Sequence, residues 1–256
     1  TNNNNDDDDD FFVTLLEDGL TMQFDMRKVY WCSRLGGERK RLIDVEFQHE
    51  QVIADAFCGV GALIVNAAKN LNCSIIANDL NPDAVKYAKG NAERNMIPSE
   101  KFHVQCGDAR DFIRYLGTNS SKDKSSIPHH LVLNFPLDSC SFLDQLRWWP
   151  SEYADGERTT SVHVYTFARA DNERSTTDVA IDMVADNILP EGGYSEQTFF
   201  RKKQLDHLGC NVRAHEVRDV APGKVVICVS FDVTTTLLKH MQGEFLMPRL
   251  SYRRFK

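Results

Sequence analysis

Apolar and polar residues alternate along this chain in two kinds of block. Short apolar runs, typical of buried strands, lie at residues 52–57, 74–78 and 102–106. Each run is followed by a segment with the composition and spacing of a helix, at residues 62–70, 83–95 and 109–116. Strands that alternate with helices in this way predict a βαβαβ unit built on a parallel sheet.

The same pattern continues on both sides of this unit. Further strands are predicted at 130–134 and 162–167, with helices at 139–149 and 177–189. Residues 212–217 and 225–233 flank an Ala-Pro-Gly-Lys turn and predict an antiparallel pair. Near the start, Glu-Asp-Gly divides residues 14–30 into a hairpin, and residues 35–45 predict an amphipathic helix. We therefore predict an α/β, Rossmann-like fold with a seven-stranded, mostly parallel sheet, a C-terminal antiparallel strand pair and a small N-terminal β lead-in.

Shifts in composition suggest four regions. Residues 1–10 are an Asn/Asp tract that we expect to be disordered, because it contains nothing that can offset the entropy of ordering. Residues 11–50 form the predicted lead-in hairpin and helix, and residues 51–235 form the main α/β domain. Residues 236–256 are predicted to be a basic C-terminal tail.

Composition excludes several classes of protein. The formal net charge of −7 argues against a protein that coats nucleic acid nonspecifically, although local basic clusters remain available for phosphate contacts. No apolar run is long enough to span a bilayer and the first residues do not resemble a signal peptide, so we expect no membrane association. The seven cysteines include no Cys-x-x-Cys pair, which favours reduced thiols in a cytoplasmic protein and predicts no metal site.

The first predicted strand ends in a glycine turn that indicates a cofactor pocket. Gly59 and Gly61 allow a ligand to approach the backbone at the start of the next helix. Asp79 follows Gly61 by 18 residues and ends the next strand, where a carboxylate can accept hydrogen bonds from ribose hydroxyls. Ile64 stands where a dinucleotide site has a third glycine, so an adenosine-like ligand such as S-adenosylmethionine is favoured. The alternative to a cofactor pocket is a tight strand-to-helix turn followed by an exposed Asp79 with no binding role.

Three further residues have two interpretations each. Asp108 can accept from an adenine amino group, or it can cap the following helix. Asn134, just before Phe135 and a proline, can hold the edge of a planar base, or it can belong to a simple strand-terminal turn. Glu38 can have a catalytic role, or it can form an ion pair with Arg34 four residues earlier in a helix.

Seven ordered segments resemble the catalytic domain of the eukaryotic and archaeal tRNA (guanine-37-N1)-methyltransferases. The similarity extends over about residues 16–233. The segments are Val29-Tyr30-Trp31 through Ser33-Arg34-Leu35 to Glu38-Arg39, Asp55-Ala56-Phe57-Cys58-Gly59-Val60-Gly61, Asn78-Asp79-Leu80-Asn81-Pro82, Gly107-Asp108-Ala109-Arg110, Asn134-Phe135-Pro136, His163-Val164-Tyr165 and Val217-Arg218-Asp219-Val220-Ala221-Pro222. The resemblance implies a class I methyltransferase fold.

The resemblance also implies a reaction, the transfer of a methyl group from S-adenosylmethionine to N1 of guanosine 37 in the tRNA anticodon loop. Glu38 matches the general base, and we expect burial to raise its pKa toward neutrality so that it can remove the N1 proton. Asn134 matches the residue that holds the guanine edge, Pro136 shapes the same pocket, and Arg34 supports the active-site loop. The target base must leave its stack, and Tyr30 or Phe135 can then stack against it.

The cofactor and the partners follow from the same resemblance. We expect the cofactor to be S-adenosylmethionine and the partner to be the tRNA anticodon stem-loop, bound by a monomer that works in the cytoplasm, with nuclear or mitochondrial matrix pools. The implied cofactor-binding residues are Tyr30, Asp55, Phe57, Gly59, Gly61, Asp79, Leu80, Asp108, Ala109 and Asn134.

Two features of the family do not appear ahead of the Asn/Asp tract. These are the N-terminal domain that grips the tRNA and an arginine that contacts guanine O6, so we expect a catalytic-domain fragment with weak affinity for tRNA. A related alternative is the wybutosine-pathway aminocarboxypropyl transferase, which lacks a counterpart of Glu38. A noncatalytic RNA-binding module with the same fold is a second alternative. An RNA-cap guanosine methyltransferase is disfavoured, because it should have a Pro-Pro-Trp element in place of Asn134-Phe135-Pro136.

Overall fold

The computed structural model describes residues 11–120, 127–154, 159–189 and 199–243. The strands are β1 (Phe12–Glu17), β2 (Leu20–Asp25), β3 (Val52–Asp55), β4 (Ser74–Asp79), β5 (Phe102–Cys106), β6 (His130–Leu133), β7 (Thr160–Ala168), β8 (Arg213–Ala221) and β9 (Lys224–Val233). The α-helices are α1 (Gly36–Arg41), α2 (Ala62–Leu71), α3 (Pro82–Arg94), α4 (Ala109–Ser120), α5 (Thr176–Ile188), α6 (Phe199–His207) and α7 (Thr235–Met241). Segments of 3-10 helix lie at Ser33–Leu35, Ser99–Lys101, Ser139–Trp148 and Ser151–Ala154, and a π-helical turn at Leu42–Glu46 continues α1.

The main sheet has seven strands in the order β5-β4-β3-β6-β7-β9-β8. Strands β3 to β7 are mutually parallel, and β9 runs antiparallel to both of its neighbours. The predicted fold class is therefore confirmed. From β3 the chain first adds strands on one side and then returns to add β6 and β7 on the other. Such a reversal leaves a crevice at the carboxyl ends of β3 and β6, which is where ligands bind in open α/β sheets.

Helices cover both faces of the sheet, which explains its nearly continuous apolar strands. All four residues of β6 are buried, as is expected for a strand with helices on each side. One core cluster contains Phe112, Leu131 and Trp149 beneath α4 and α5, and the other contains Ile64 and Tyr165 beneath α2 and α3. Both clusters fix the strand ends that border the crevice.

The predicted lead-in hairpin is confirmed, and it belongs to one of these clusters. Strands β1 and β2 form a separate two-stranded sheet, and Asp18 and Gly19 between them both have positive φ angles. Leu20, Met22 and Phe24 alternate along β2 and are all buried. Residues on one face of a strand recur at every second position, so the hairpin presents an apolar face to the core.

Two predictions about the C-terminal half need correction. The helix predicted at 139–149 is a 3-10 segment, and helices α6 and α7 were not predicted. The predicted basic tail at 236–256 overlaps α7, in which Leu237 and Leu238 are fully buried in the core. A seven-residue helix is too short for its periodicity to be recognised in the sequence. Residues 1–10 and 244–256 lie outside the described residues.

Within the described ranges, no helix combines the length and the apolar character needed to cross a membrane.

A chain of polar side chains crosses the middle of the sheet. His130 Nε2 lies 3.0 Å from Gln51 Oε1, and His130 Nδ1 lies 3.0 Å from His163 Nε2. His163 Nδ1 lies 2.8 Å from Ser230 Oγ. Burial lowers the pKa of His130 to about 4 and that of His163 well below its ordinary value. Both imidazoles are therefore held neutral at pH 7, with their ring nitrogens satisfied by hydrogen bonds.

The free energy of unfolding is expected to decrease as the pH falls from about 6.5 to about 4. His130 takes up its proton near pH 6.5 in the unfolded chain and near pH 4 in the folded protein, so the unfolded state binds more protons in this window. The resulting slope is at most about 1.4 kcal/mol per pH unit for each such histidine. Urea unfolding at pH 7, 6 and 5 should give a smaller slope for His130→Gln than for the unmodified chain. The matched control is His103→Gln at an exposed position, and equal slopes for all three proteins would contradict the expectation.

Candidate active site

A cavity of about 990 Å³ opens at the carboxyl ends of β3, β4 and β6. This volume is at the upper end of the range of roughly 300–1,000 Å³ for small-molecule sites. The predicted site residues that line it are Tyr30, Glu38, Asp55, Phe57, Gly59, Asp79, Leu80, Asp108, Ala109, Asn134 and Pro136. Gly61 and Arg34 are not among the lining residues. The fold thus brings together most of a set of residues that is spread over more than 100 positions of sequence.

The glycine turn and the acid on the next strand are held together by hydrogen bonds. The Gly59 N–H donates to Asp79 Oδ2 at 2.8 Å, and the Asn81 N–H donates to Asp79 Oδ1 at 2.9 Å. A carboxylate has about four acceptor positions, so these two bonds fix Asp79 and leave room for ribose hydroxyls. A Cβ at Gly59 would meet nothing within 4 Å, which leaves the ligand side of the turn open.

Gly61 has a packing role that the sequence did not predict, and its predicted contact with a cofactor stays a prediction. Its φ angle is +89°, and a Cβ there would lie 3.2 Å from Ala88 Cα and 3.3 Å from Val65 Cγ2. The absence of a side chain therefore lets α2 begin against α3. Gly61 thereby supports the shape of the pocket through packing.

Asp55 is a second acidic residue of the cavity, and it is almost completely buried. Burial raises the pKa of Asp55 to about 7, with a further contribution from the negative charge of Asp79 and an opposing one from the Phe57 N–H. That N–H donates to Asp55 Oδ1 at 3.0 Å. The charge of Asp55 is thus sensitive to any cationic group that enters the cavity beside it.

The alternative interpretation of Asp108, as a helix cap, is confirmed by the geometry. Asp108 Oδ1 accepts from the Arg110 N–H at 2.7 Å at the start of α4. The side chain is exposed and lines the cavity. Its predicted contact with an adenine amino group is compatible with the cap and stays a prediction.

The turn after β6 is fixed by one serine that the sequence reading did not identify. Ser139 Oγ accepts from the Phe135 N–H at 2.9 Å and lies 2.9 Å from the carbonyl oxygen of Leu133. These bonds hold the backbone on both sides of Asn134. The Phe135 ring stacks on Phe57 with centroids 5.3 Å apart and an interplanar angle of 23°. Asn134 and Pro136 therefore project into the cavity from a rigid turn with an aromatic side.

Glu38 is the most heavily bonded carboxylate in the cavity. Tyr165 donates its hydroxyl to Oε1 at 2.7 Å, and Arg41 donates to both oxygens at 3.0 Å. His215 Nε2 lies 3.1 Å from Oε2. These contacts occupy all the acceptor positions of a carboxylate.

The expectation of a raised pKa for Glu38 is wrong for this state of the protein. Burial raises the pKa, but the hydrogen bonds from His215, Arg41 and Tyr165 outweigh it and lower the pKa to about 2. The alternative ion pair with Arg34 is also absent. Arg34 lies in the 3-10 segment before α1 and is exposed, so helical i,i+4 spacing does not apply to it. Glu38 is instead paired with Arg41 at i+3.

Helix α1 is anchored to the hairpin by an ion pair that gives no local signal in the sequence. Arg39 donates from Nε and Nη2 to the two carboxylate oxygens of Glu17 at 2.6 and 2.7 Å. The Arg39 guanidinium also lies 4.9 Å from the centroid of the Trp31 ring. Since Arg39 adjoins Glu38, this pair positions the carboxylate. The partners are 22 residues apart, and only the tertiary structure reveals them.

One cluster in the described part of the chain has the donor types of a metal site. Ligand atoms of Glu38, His215 and Cys228 lie within 4.8 Å of one another. Both oxygens of Glu38 already accept from the Arg41 guanidinium, whose charge opposes a cation there. Burial also raises the pKa of the Cys228 thiol to about 12, which disfavours the thiolate that a metal needs. The charges around the cluster therefore favour an ionised Glu38 bound to Arg41 over a bound metal ion.

Comparisons with known proteins agree with the geometry. The family model of the TRM5/TYW2 methyltransferase domain matches residues 14–188. The chain is 42% identical over 257 residues to tRNA (guanine(37)-N(1))-methyltransferase 2 of Phaeodactylum tricornutum. The alignment covers 86% of this chain and 43% of that protein. The chain is 34% identical over 224 residues to tRNA (guanine(37)-N(1))-methyltransferase of Dictyostelium discoideum, with 86% and 44% covered. The chain thus spans less than half the length of these two relatives.

The fold is also found in a solved structure. The crystal structure of wild-type Trm5b from Pyrococcus abyssi has a TM-score of 0.62 to this chain at 20% sequence identity, and the match covers 88% of this chain and 56% of that one. At this identity the similarity concerns the fold alone.

Removing the His215 donor should raise the pKa of Glu38. In His215→Phe the carboxylate loses the largest of the interactions that stabilise its charged form, so its pKa is expected to rise from about 2 toward the ordinary value of 4.5. Carboxyl-detected NMR titration of the full chain measures this directly. Tyr165→Phe should raise the pKa in the same direction, whereas His103→Phe on the exposed surface should not. An unchanged Glu38 titration in His215→Phe would contradict the assigned cause.

Removing Glu17 should destabilise the protein and loosen α1. Glu17→Ala leaves the buried Arg39 guanidinium without its carboxylate, which we expect to cost roughly 2–3 kcal/mol. Urea unfolding of Glu17→Ala and Arg39→Met, each alone and combined, measures the coupling between them. The matched control is Lys40→Met, which removes an exposed i,i+4 pair with Asp44 and should cost less than about 0.5 kcal/mol. Strictly additive effects of the Glu17 and Arg39 substitutions would refute the anchoring role.

Proposed function

The chain belongs to the TRM5/TYW2 methyltransferase domain family, and from that premise we propose that it transfers a methyl group from S-adenosylmethionine to N1 of guanosine 37 in tRNA. The observation that carries the proposal is the shared cavity. An ionised carboxylate, Glu38, opens into the same space as Asn134 and the nucleoside-type elements Gly59 and Asp79. The curated relatives described above have names that specify this reaction.

The cofactor half of the cavity has the donor and acceptor groups that S-adenosylmethionine requires. Asp79 keeps free acceptor positions for the ribose hydroxyls, and the open side of Gly59 lets the ligand approach the backbone. Asp108 and Asp55 both line the cavity, and in this proposal Asp108 accepts from the adenine amino group while Asp55 faces the cationic sulfonium. When bound, the cofactor supplies an electrophilic methyl group on a sulfonium.

Glu38 then acts as the general base in this proposal. Guanine N1 carries a proton in the neutral nucleoside, so N1 attacks the methyl carbon only as its N–H bond breaks. The proton passes to a Glu38 oxygen, the new N1–C bond forms, and the electron pair of the broken C–S bond stays on sulfur. A carboxylate that is already ionised is ready to accept that proton.

Glu38 must first lose one of its hydrogen-bond donors, because every acceptor position of its carboxylate is occupied. We assign the displaced donor as His215. Its side chain is 35% exposed, compared with 24% for Arg41, and the third donor, Tyr165, is fully buried. In this proposal the N1–H of guanine takes the place of His215 at Glu38, and the guanine ring excludes water from the cavity. Both changes make Glu38 a stronger proton acceptor at the moment of transfer.

Asn134 and the aromatic residues hold the target base. The Asn134 amide donates and accepts in one plane, which matches the edge of a purine, and the bonds of Ser139 keep the preceding and following backbone in place. The stacked rings of Phe57 and Phe135 give a base that has left the anticodon stack an aromatic surface to replace its neighbours. The partner proposed for the chain is therefore the tRNA anticodon stem-loop.

Of the alternatives, the wybutosine-pathway transferase remains within the same family model, and Glu38 in the cavity favours methyl transfer over it. A noncatalytic module has no need for an ionised carboxylate beside a cofactor-sized space. The domain boundaries, the monomeric state and the cytoplasmic location stay predictions.

The function is tested with labelled S-adenosylmethionine and unmodified tRNA under single-turnover conditions at saturating protein. Label should be incorporated into tRNA with guanosine at position 37 and not into the same tRNA with adenosine there. Glu38→Gln should reduce the single-turnover rate by about 100-fold or more, because an amide cannot take the N1 proton. The matched control is Glu100→Gln, which makes the same change at an exposed position distant from Glu38 in sequence. Equal labelling of both tRNAs would refute the site, and an unchanged rate for Glu38→Gln would refute the general base.

A further inference from the structure

The proposed reaction leaves a proton on Glu38, and the side chains around Glu38 determine where that proton goes next. Burial raises the pKa of this carboxyl group, but its hydrogen bonds lower it to about 2, so the surroundings favour the ionised form. A protonated Glu38 turns an O–H toward groups that are themselves donors. The carboxyl group must therefore pass its proton to an acceptor before it can act as a base again. The side chains bonded to it are Arg41, Tyr165 and His215.

Arg41 cannot be that acceptor. A guanidinium has five N–H donors and no acceptor position. Burial opposes the charge of Arg41, but its hydrogen bonds with Glu38 and Glu46 outweigh burial and raise its pKa above the ordinary value. Arg41 therefore stays a fixed positive charge throughout the reaction.

Tyr165 leads into a series of buried groups. Its hydroxyl is fully buried and interacts with the Cys228 thiol, and Cys228 Sγ lies 3.8 Å from Ser230 Oγ. Ser230 Oγ lies 2.8 Å from His163 Nδ1, in the polar chain that ends at Gln51. Burial raises the pKa of Tyr165 well above its ordinary value and lowers that of His163 well below it. Neither a phenolate nor an imidazolium is therefore favoured along this route.

The far end of this polar chain is closed by an amide oxygen. The Gln48 N–H donates to Gln51 Oε1 at 2.8 Å, which identifies the Gln51 atom beside His130 as the oxygen and not the nitrogen. His130 Nε2 therefore carries a hydrogen, His130 Nδ1 accepts from His163 Nε2, and His163 Nδ1 accepts from the Ser230 hydroxyl. An amide is not a titratable group in the ordinary pH range. A proton that enters this chain has no group at its end to release it.

His215 differs from the other two donors because it combines a second ring nitrogen with access to solvent. Its Nε2 lies 3.1 Å from Glu38 Oε2, and its side chain is 35% exposed on β8, the last strand in the sheet order. A β-bulge follows in β8, with a register shift between Glu216 and Arg218, and Arg218 also lines the cavity. A neutral imidazole accepts at one nitrogen and donates at the other, so it can take up a proton on one side and release one on the other.

The charges near His215 favour a proton transfer from Glu38. Arg213, two residues earlier on β8, lies 3.8 Å from Glu46, and Glu46 also accepts from Arg41 at 2.8 Å. Both guanidinium groups therefore have a carboxylate partner. Once Glu38 has lost its proton it is again negative, and a positively charged His215 beside it forms an ion pair.

We propose that His215 takes the guanine proton from Glu38 after methyl transfer and releases it to solvent. The inference rests on the function proposed above and deepens it by assigning the route of the proton. His215, displaced by the bound guanine, exchanges its ring hydrogen through solvent and returns to Glu38 with Nε2 unprotonated. The O–H bond of Glu38 then breaks, an N–H bond forms at Nε2, and the ring becomes an imidazolium. The Nδ1–H bond breaks next, its proton passes to water, and the remaining Nε2–H donates to the carboxylate again.

The test compares first and repeated turnovers in His215→Gln, in which an amide can still donate to Glu38 but cannot relay a proton. With labelled S-adenosylmethionine and unmodified tRNA, the full chain carrying this variant should transfer its first methyl group at an undiminished rate. Later turnovers should be slower by about 10-fold or more, because Glu38 stays protonated. A pH-indicator dye in a rapid-mixing experiment should record proton release that lags further behind methyl transfer than in the unmodified chain.

Added imidazole and two control variants separate the relay from a merely structural role. Imidazole in solution should restore repeated turnover in His215→Gln and leave the unmodified chain unaffected, because it replaces the missing proton acceptor. His103→Gln makes the same change at an exposed position. Ser230→Ala interrupts the buried route beyond Tyr165. Neither control should show slow later turnovers that respond to imidazole.

The outcomes distinguish this inference from the proposed function. If the unmodified chain transfers no label to tRNA with guanosine at position 37, the proposed function fails and the inference fails with it. If label is transferred and His215→Gln shows neither slow later turnovers nor a lag, only the role of His215 is overturned. Slow turnover that does not respond to imidazole, or a lag found in Ser230→Ala instead, also overturns that role alone.

Discussion

The organisation of the site depends on one buried carboxylate that receives four hydrogen bonds. Glu38 joins helix α1 to strand β7 through Tyr165 and to strand β8 through His215, while Arg41 closes the network on the helix itself. Removing a charge from water is expensive unless its hydrogen bonds are satisfied. The network meets this need, holds the carboxylate ionised, and ties the N-terminal segment to the far half of the sheet. A ligand that takes the place of one donor therefore changes the basicity of Glu38 and loosens one of these links.

The hairpin before the main sheet contributes to the same site. Its β2 face supplies core residues such as Met22 and Phe24, and its β1 strand supplies Glu17, which holds Arg39 next to Glu38. The segment that precedes the glycine turn is thus packed against the domain and fixes the position of the proposed base. The proposed cofactor elements after β3 and β4 and the proposed substrate elements after β6 and on β7 and β8 lie on the two sides of the crevice where the strand order reverses.

Several parts of this arrangement were predictable because they depend on local patterns. The seven strands, the hairpin turn and the glycine turn have signals within a few residues, and the motif spacing located Asp79, Asn134 and Glu38. Other parts had no such signal. Helix α7 is too short for its periodicity to be seen, the 3-10 segment at Ser139–Trp148 has the composition of an ordinary helix, and a bulge in β8 cannot be read from an alternating pattern.

The sequence by itself determined the class of the fold, the family, and the residues that carry the proposed chemistry, because strand and helix periodicity and ordered motifs are properties of short segments. Only the tertiary structure decided the state of those residues. The pKa of Glu38 is lowered and not raised, because three donors from three elements surround it in the folded chain. Gly61 serves helix packing, Asp108 caps a helix, and Arg218 reaches the cavity, since contacts between residues distant in sequence and the register of the sheet set these roles.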